Sequence, residues 1–286
     1  MRLTNEMIEL SLLSNEKCFS YQDKYVLLNK ELPCKDDMFD EYIKRINMAN
    51  KSGINTPLIL DYYLIPNSQV QGISKGVILE EKACGNVLNI RGMFLYLDRD
   101  YDFIKISNEY LEKINLYLIE LEKRSLASIQ VYEKLIDDFI NLKKYGLVPD
   151  ANSLNFLYDE SIGYSIIDPY FESSGVIKDK DIFKYIINAV YGVTRPVIYL
   201  KKNGLNCFYD LPFEYKKRLD EISNMINKKI ISAFRNKGFS DDYISESFNE
   251  NKHRFKTTES YLSNDEFLVE LNNWYDSLKL DIDKKI

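Results

Sequence analysis

Glycine is scarce in this chain, with 11 residues among 286, and the first of them is Gly53. There are seven prolines, four cysteines, one histidine and one tryptophan. These shortages close several classes of function. No GxxxxGK[ST] loop and no GxGxxG fingerprint is present, so neither of those turns is available to cradle phosphates. The one histidine, His253, lies in a charged stretch at 251–256, and a Ser-His-Asp triad or a histidine metal site has no other to use. Cys18, Cys34, Cys84 and Cys207 form no CxxC pair. They read as reduced, partly buried thiols of a cytoplasmic-type compartment, with no zinc site or disulfide framework. No run approaches the roughly 18 apolar residues that span a bilayer. The opening residues lack the apolar core of a signal peptide, although a leaderless export route leaves no mark in a sequence. Positive charge is also in deficit, with 38 Lys and Arg against 44 Asp and Glu, a net charge of -6. A nucleic-acid partner needs a basic face, which this balance argues against.

What remains is 45% hydrophobic and 29% charged, the make-up of an ordinary folded protein. The first eighty or so residues read as short strands around one helix. Strands are expected at 8–13, 18–21, 24–30, 58–65 and 76–80. Between them, Met38, Phe39, Tyr42, Ile43, Ile46 and Ala49 repeat at helical spacing, which predicts a helix over 36–50 capped near Gly53. From about Ser107 the pattern turns to long helices at 108–123, 126–145, 179–191 and 214–237, with another near the C-terminus. The change falls near 81–85.

One hairpin interrupts the helices. Residues 155–159 (NFLYD) and 164–168 (YSIID) flank Glu160-Ser161-Ile162-Gly163, a four-residue turn. Pairing Asp159 with Tyr164 places Asn155 opposite Asp168, so that an amide oxygen and a carboxylate converge at the open end. Hard oxygen donors of this kind suit Mg²⁺, which takes a few protein oxygens together with phosphate oxygens. Asp150, in the loop leading into the hairpin, is placed to accept a proton from an attacking hydroxyl. Taken singly, each of these residues is also ordinary turn chemistry.

In combination, Asp150, Asn155 five residues later and Asp168 at the end of the hairpin resemble the catalytic loop and metal-binding strand pair of the protein-kinase-like superfamily. That superfamily includes protein kinases and aminoglycoside-type phosphotransferases. The resemblance implies an α+β, bilobal protein-kinase-like fold, with a small β-rich N-lobe over 1–83 and a larger, mainly helical C-lobe over 84–286. It implies ATP and Mg²⁺ as cofactors, Asp150 as base and Asn155 with Asp168 as metal ligands. It also implies a hydroxyl acceptor on a protein or a small molecule. Several family features are replaced: Val148 stands for the usual His, Pro149 for the Arg, Asn152 for the Lys, and Asp168-Pro169-Tyr170 for Asp-Phe-Gly. No Ala-Pro-Glu segment follows.

The resemblance further asks for a phosphate-binding lysine and a helix carboxylate. Lys30 is the first choice for the lysine, with Lys24 as alternative; Glu41 is first for the carboxylate, with Asp40 second. The backbone around Glu81 and Ala83, where an apolar strand runs into Glu80-Glu81-Lys82-Ala83, is the hinge expected to hold adenine. The glycine-rich loop is missing, leaving Ser14-Asn15 to turn between the first two strands. Two other readings stand beside this one. A catalytically inactive pseudokinase, acting as a binding or regulatory module, accounts for the replaced motifs. Asp98, Asp100 and Asp102 form a DxD-like cluster that suits a glycosyltransferase cation or a phosphatase nucleophile.

Overall fold

Thr4 starts a helix where a strand was expected. The structure, a computed structural model, describes residues 1–14, 18–32, 36–65, 74–88, 108–149, 155–171, 179–191 and 213–255. Its first element is the helix α1 (Asn5–Leu13). The Thr4 side-chain oxygen accepts the Met7 N–H at 3.3 Å, an N-cap, and Glu6 sits in the first turn near the positive end of the helix dipole. A short apolar run fits strand or helix equally, and the cap decides.

Strands β1 (Cys18–Tyr21), β2 (Tyr25–Leu32), β3 (Ile59–Leu64) and β4 (Ser74–Glu81) form one antiparallel sheet in the order β1-β2-β4-β3. In the β2–β4 ladder Lys30 lies opposite Gly76, Leu28 opposite Ile78 and Val26 opposite Glu80. Side chains alternate across a strand, so the sheet has two distinct faces. Leu27, Val77 and Leu79 bury on one, against Met7 of α1. Leu28, Lys30, Ile78 and Glu80 share the other. Helix α2 (Asp36–Lys51) packs its apolar stripe into the main core on that second face, with Phe39, Tyr42, Ile43, Ile46 and Ala49 all buried. Each large side chain in the stripe contributes roughly 1.5–3 kcal/mol, well above any helix propensity, so packing holds α2 in place. The helix ends at Gly53, whose φ of +91° suits glycine, and the Ile54 N–H reaches back to the Ala49 carbonyl at 3.2 Å.

Most of the remaining described residues are helical: α3 (Asn108–Leu126), α4 (Ile129–Lys144), α5 (Asp179–Tyr191), α6 (Phe213–Asn236) and α7 (Asp241–Phe255). The whole is a mixed α+β protein with a small antiparallel sheet and a mostly helical remainder. No helix among the described residues is long and apolar enough to cross a membrane.

Three short strand pairings lie between the helices. β7 (Phe156–Asp159) and β8 (Gly163–Ile166) make the hairpin, and β5 (Asn86–Val87) adds to the outer edge of β7. β6 (Leu147–Val148) pairs with β9 (Tyr170–Phe171). The hairpin register differs by one residue from the expected one: Asp159 pairs with Gly163 and Phe156 with Ile166. Gly163, at φ +87°, takes the left-handed position that closes a loop of three residues. Asp159 Oδ1 holds that loop by accepting the N–H groups of Ser161 at 2.8 Å and Ile162 at 3.2 Å. Asn155 therefore bonds Ile167, whose N–H meets the Asn155 carbonyl at 2.9 Å, and does not lie opposite Asp168.

The sheet half is tied to the hairpin through Asn55. Its carbonyl accepts the Ile166 N–H at 2.8 Å and its side-chain amide donates to the Tyr164 carbonyl at 2.6 Å, so one residue pairs with the outer edge of β8. Asn47 acts similarly within the sheet half, exchanging two side-chain bonds with the Ile59 backbone at 2.8 and 2.9 Å, which fixes α2 against β3.

Gly76 lets Phe39 lie on the strand directly across from Lys30. A Cβ there would stand 2.7 Å from the Phe39 ring and 2.9 Å from the Tyr63 carbonyl oxygen. Gly76→Ala is expected to cost about 1–3 kcal/mol, the usual penalty for overpacking, as a lowered midpoint in urea unfolding. An unchanged midpoint would show that α2 has room to withdraw.

Candidate functional site

The face of the sheet that carries Lys30 looks toward the end of the hairpin. Lys30 is 8% exposed, and its Nζ donates to Asp168 Oδ1, joining residues 138 apart in sequence. Two aromatic rings flank the ammonium, Tyr42 and Tyr170, each with its centroid 5.7 Å from Nζ. Such rings attract a cation through their electron-rich faces. Asp168 keeps 38% of its side chain open to solvent, so the carboxylate is not used up by the lysine.

Asp168 has a φ of +52°, a left-handed conformation that costs a non-glycine residue roughly 1–2 kcal/mol. Its neighbours hold it there. The buried Tyr42 hydroxyl donates to the Pro169 carbonyl at 2.9 Å, and Tyr170 pairs with Val148 in the β6–β9 ladder. Strained positions of this kind gather at functional sites because the surrounding structure must over-determine them.

Asp150 lies outside the described residues, but both flanks of its segment are placed. On one side Val148, two residues before it, pairs with Tyr170, two residues after Asp168. On the other side Asn155 bonds Ile167, the residue just before Asp168. The chain thus leaves and re-enters the described structure beside the same carboxylate. The β6–β9 pairing escaped sequence reasoning because two residues per strand show no alternation to read.

The other expected site residues fall as follows. Glu41 accepts from Arg45 Nε at 2.9 Å, one helical turn away, and the structure does not bring it to Lys30. That bond, more than the nearby Lys44 and Arg45 charges, draws the Glu41 carboxyl below the usual range. Asp40 faces Tyr62, whose phenol is raised by burial first and by Asp40 second. Lys24 is exposed in a turn, its carbonyl accepting the Lys82 N–H at 2.9 Å. The Glu81 N–H is bonded to the Leu58 carbonyl at 3.0 Å, which leaves it inside the sheet's hydrogen bonding, and Ala83 follows half-buried. Cys18 and Cys84 are exposed, not partly buried as expected, since each lies on a short or irregular segment that packing does not cover. Cys34, Cys207 and the Asp98–Asp100–Asp102 cluster lie outside the described residues, and His253 falls in the last turns of α7.

Glu80 was missed as a site residue. It shares the Lys30 face of the sheet, and its carboxyl is pushed up to about 8, first by burial and then by the Asp168 charge, with Lys30 pulling the other way. Nothing in the residue itself signals this, because burial depends on what covers the strand. Among the described residues no group of three or more His, Cys, Asp or Glu is set to hold a metal ion. No protein-family model matches the chain, and no curated protein matches it at a significant level.

In the folded protein Glu80 holds its proton up to about pH 8, whereas in the unfolded chain it ionises near its ordinary value of 4.5. Between these values the unfolded chain binds fewer protons, so folding weakens as the pH rises. Glu80→Gln removes this penalty. The Tm of the variant should move above that of the wild type progressively from about pH 5 to about pH 8. Parallel Tm curves would show that the carboxyl titrates as it does in water.

Proposed function

We propose that this chain is an ATP- and Mg²⁺-dependent phosphotransferase on a bilobal, protein-kinase-like fold, with 1–83 as the N-lobe and 84–286 as the C-lobe. The observation that carries this reading is the meeting at Asp168. Lys30 arrives from the sheet, and both flanks of the Asp150 segment are pinned beside the same residue. A structural ion pair has no need of a strained carboxylate left partly open.

A hard cation here would be held first by Asp168, whose carboxylate is partly exposed. Asn155, the second ligand that the resemblance implies, pairs with Ile167 and not with Asp168, so its side chain would have to turn toward the carboxylate to share the ion. Mg²⁺ commonly takes one or two protein carboxylates and completes its shell with phosphate and water oxygens. Bound there, the metal supplies charge neutralisation to the phosphates. Lys30, a compact point charge, holds phosphate oxygens of the nucleotide. Asp150 takes the proton from the acceptor hydroxyl, which belongs to a protein or a small molecule. The backbone near Glu81 and Ala83 borders the adenine side.

One observation favours a second reading, an inactive binding module. α1 occupies the place of the first expected strand, so no strand pair is formed there to cover phosphates.

Mg-ATP in a thermal-shift experiment separates the two. At about a hundredfold excess over Kd, Mg-ATP should raise Tm by roughly 5–10 °C in the wild type. In a γ-labelled ATP assay, compared per folded protein, Asp150→Ala should lower transfer by roughly 10²–10⁴-fold and Asp168→Ala should abolish it, the second with a lowered Tm because it leaves the buried Lys30 unpaired. Binding without transfer selects the module, and the absence of any shift with metal and nucleotide sinks the enzymatic reading.

A further inference from the structure

Helix α2 was expected to reach the phosphate lysine through a carboxylate. Successive residues of a helix are separated by about 100°, so Glu41 and Tyr42 cannot both face the sheet. The apolar stripe settles the phase: Phe39, Tyr42, Ile43 and Ile46 face inward. Glu41 is left beside Arg45, whose Nη1 donates to the Tyr145 carbonyl at 3.3 Å just after α4. The acidic side of α2 therefore serves the contact with α4.

Tyr42 holds the position by the lysine. It is 2% exposed, its ring centroid lies 5.7 Å from the Lys30 ammonium, and its hydroxyl donates to the Pro169 carbonyl at 2.9 Å. One side chain thus meets the surroundings of both members of the Lys30–Asp168 pair: the cation through its ring, and the carboxylate's residue through the carbonyl of the proline that follows it. The two contacts differ in kind. A ring seats an ammonium by its quadrupole without cancelling the charge, whereas a carboxylate would neutralise it. The hydroxyl bond fixes the Pro169–Tyr170 peptide, one residue beyond the left-handed Asp168.

We propose that Tyr42 is the positioning residue through which α2 sets this site, its ring seating Lys30 and its hydroxyl fixing the turn at Asp168–Pro169. This rests on the phosphotransferase reading and deepens it. Lys30 is held in place with its full charge available to a polyanion, once Asp168 turns to a metal. The site then depends on where α2 lies, since moving the helix moves the ring and the hydroxyl together.

Because ring and hydroxyl do separate work, two variants separate their effects. Tyr42→Phe keeps the ring, so the KM for ATP should stay within about twofold while kcat falls by roughly tenfold, the size of one buried hydrogen bond. Tyr42→Leu removes the ring, so the KM for ATP should rise severalfold. A further measurement needs no nucleotide: trace acetylation of the free protein by acetic anhydride, read at Lys30 by peptide mass. Lys30 should label slowly in the wild type and in Tyr42→Phe, and severalfold faster in Tyr42→Leu. A merely structural role would lower kcat in proportion to the folded fraction and leave KM untouched in both variants, which overturns the proposal. So does a Glu41→Gln variant more damaging than Tyr42→Phe. If the wild type transfers no phosphate, the enzymatic reading falls by itself. Tyr42 is then judged by labelling alone, and equal Lys30 rates in wild type and Tyr42→Leu overturn its role as a seat.

Discussion

The contact between Lys30 and Asp168 is the constraint around which the rest is arranged. It joins a buried strand lysine to a carboxylate 138 residues away, on the far side of three long helices in sequence. A lysine that is 8% exposed is tolerated only with compensation, because an ammonium taken out of water is costly unless paired. Much of the local structure supplies that compensation. Gly76 removes a side chain opposite the lysine, Tyr42 and Tyr170 flank it, and the β6–β9 ladder with the Tyr42 hydroxyl holds Asp168 in its strained turn. Glu80 adds a second carboxyl nearby, and burial together with the Asp168 charge makes it hold its proton more readily than a carboxyl in water.

The arrangement also explains why the charged residues of α2 point where they do. A helix against a sheet has one inward stripe, and here it is taken by ring and branched aliphatic side chains. Glu41 and Arg45, one turn apart, can bond each other on the flank and still reach the end of α4. The polar flank joins the two helices while the apolar stripe meets the sheet and the site.

Much of this was legible in the residues, and the rest was hidden for identifiable reasons. The long helices announce themselves by stripes that persist over several turns, and α5 starts and stops where the pattern does. Alternation along 24–30 was enough to put Lys30 on the same face as Leu28, which is the face that meets the hairpin. Tyr42 was already visible as a member of the inward stripe, and from it the outward phase of Glu41 follows. The register of the hairpin was not legible, because a three-residue and a four-residue loop differ only in whether Gly163 counts as loop or as strand. α1 was misread because nine residues without a strong stripe fit two periods, and only the Thr4 cap distinguishes them. β6 and β9, at two residues each, carry no pattern at all, yet they place the flank of Asp150.

The hairpin is clasped on both edges by pieces of the N-terminal third of the chain, residue 55 on β8 and β5 on β7. At the second clasp the packing is backbone on backbone: a Cβ on Gly85 would stand 2.6 Å from the Tyr158 carbonyl carbon. Between the two clasps Phe156, Tyr158, Tyr164 and Ile166 are buried in the main core, so neither neighbour can slide along its edge of the hairpin without disturbing close-packed side chains.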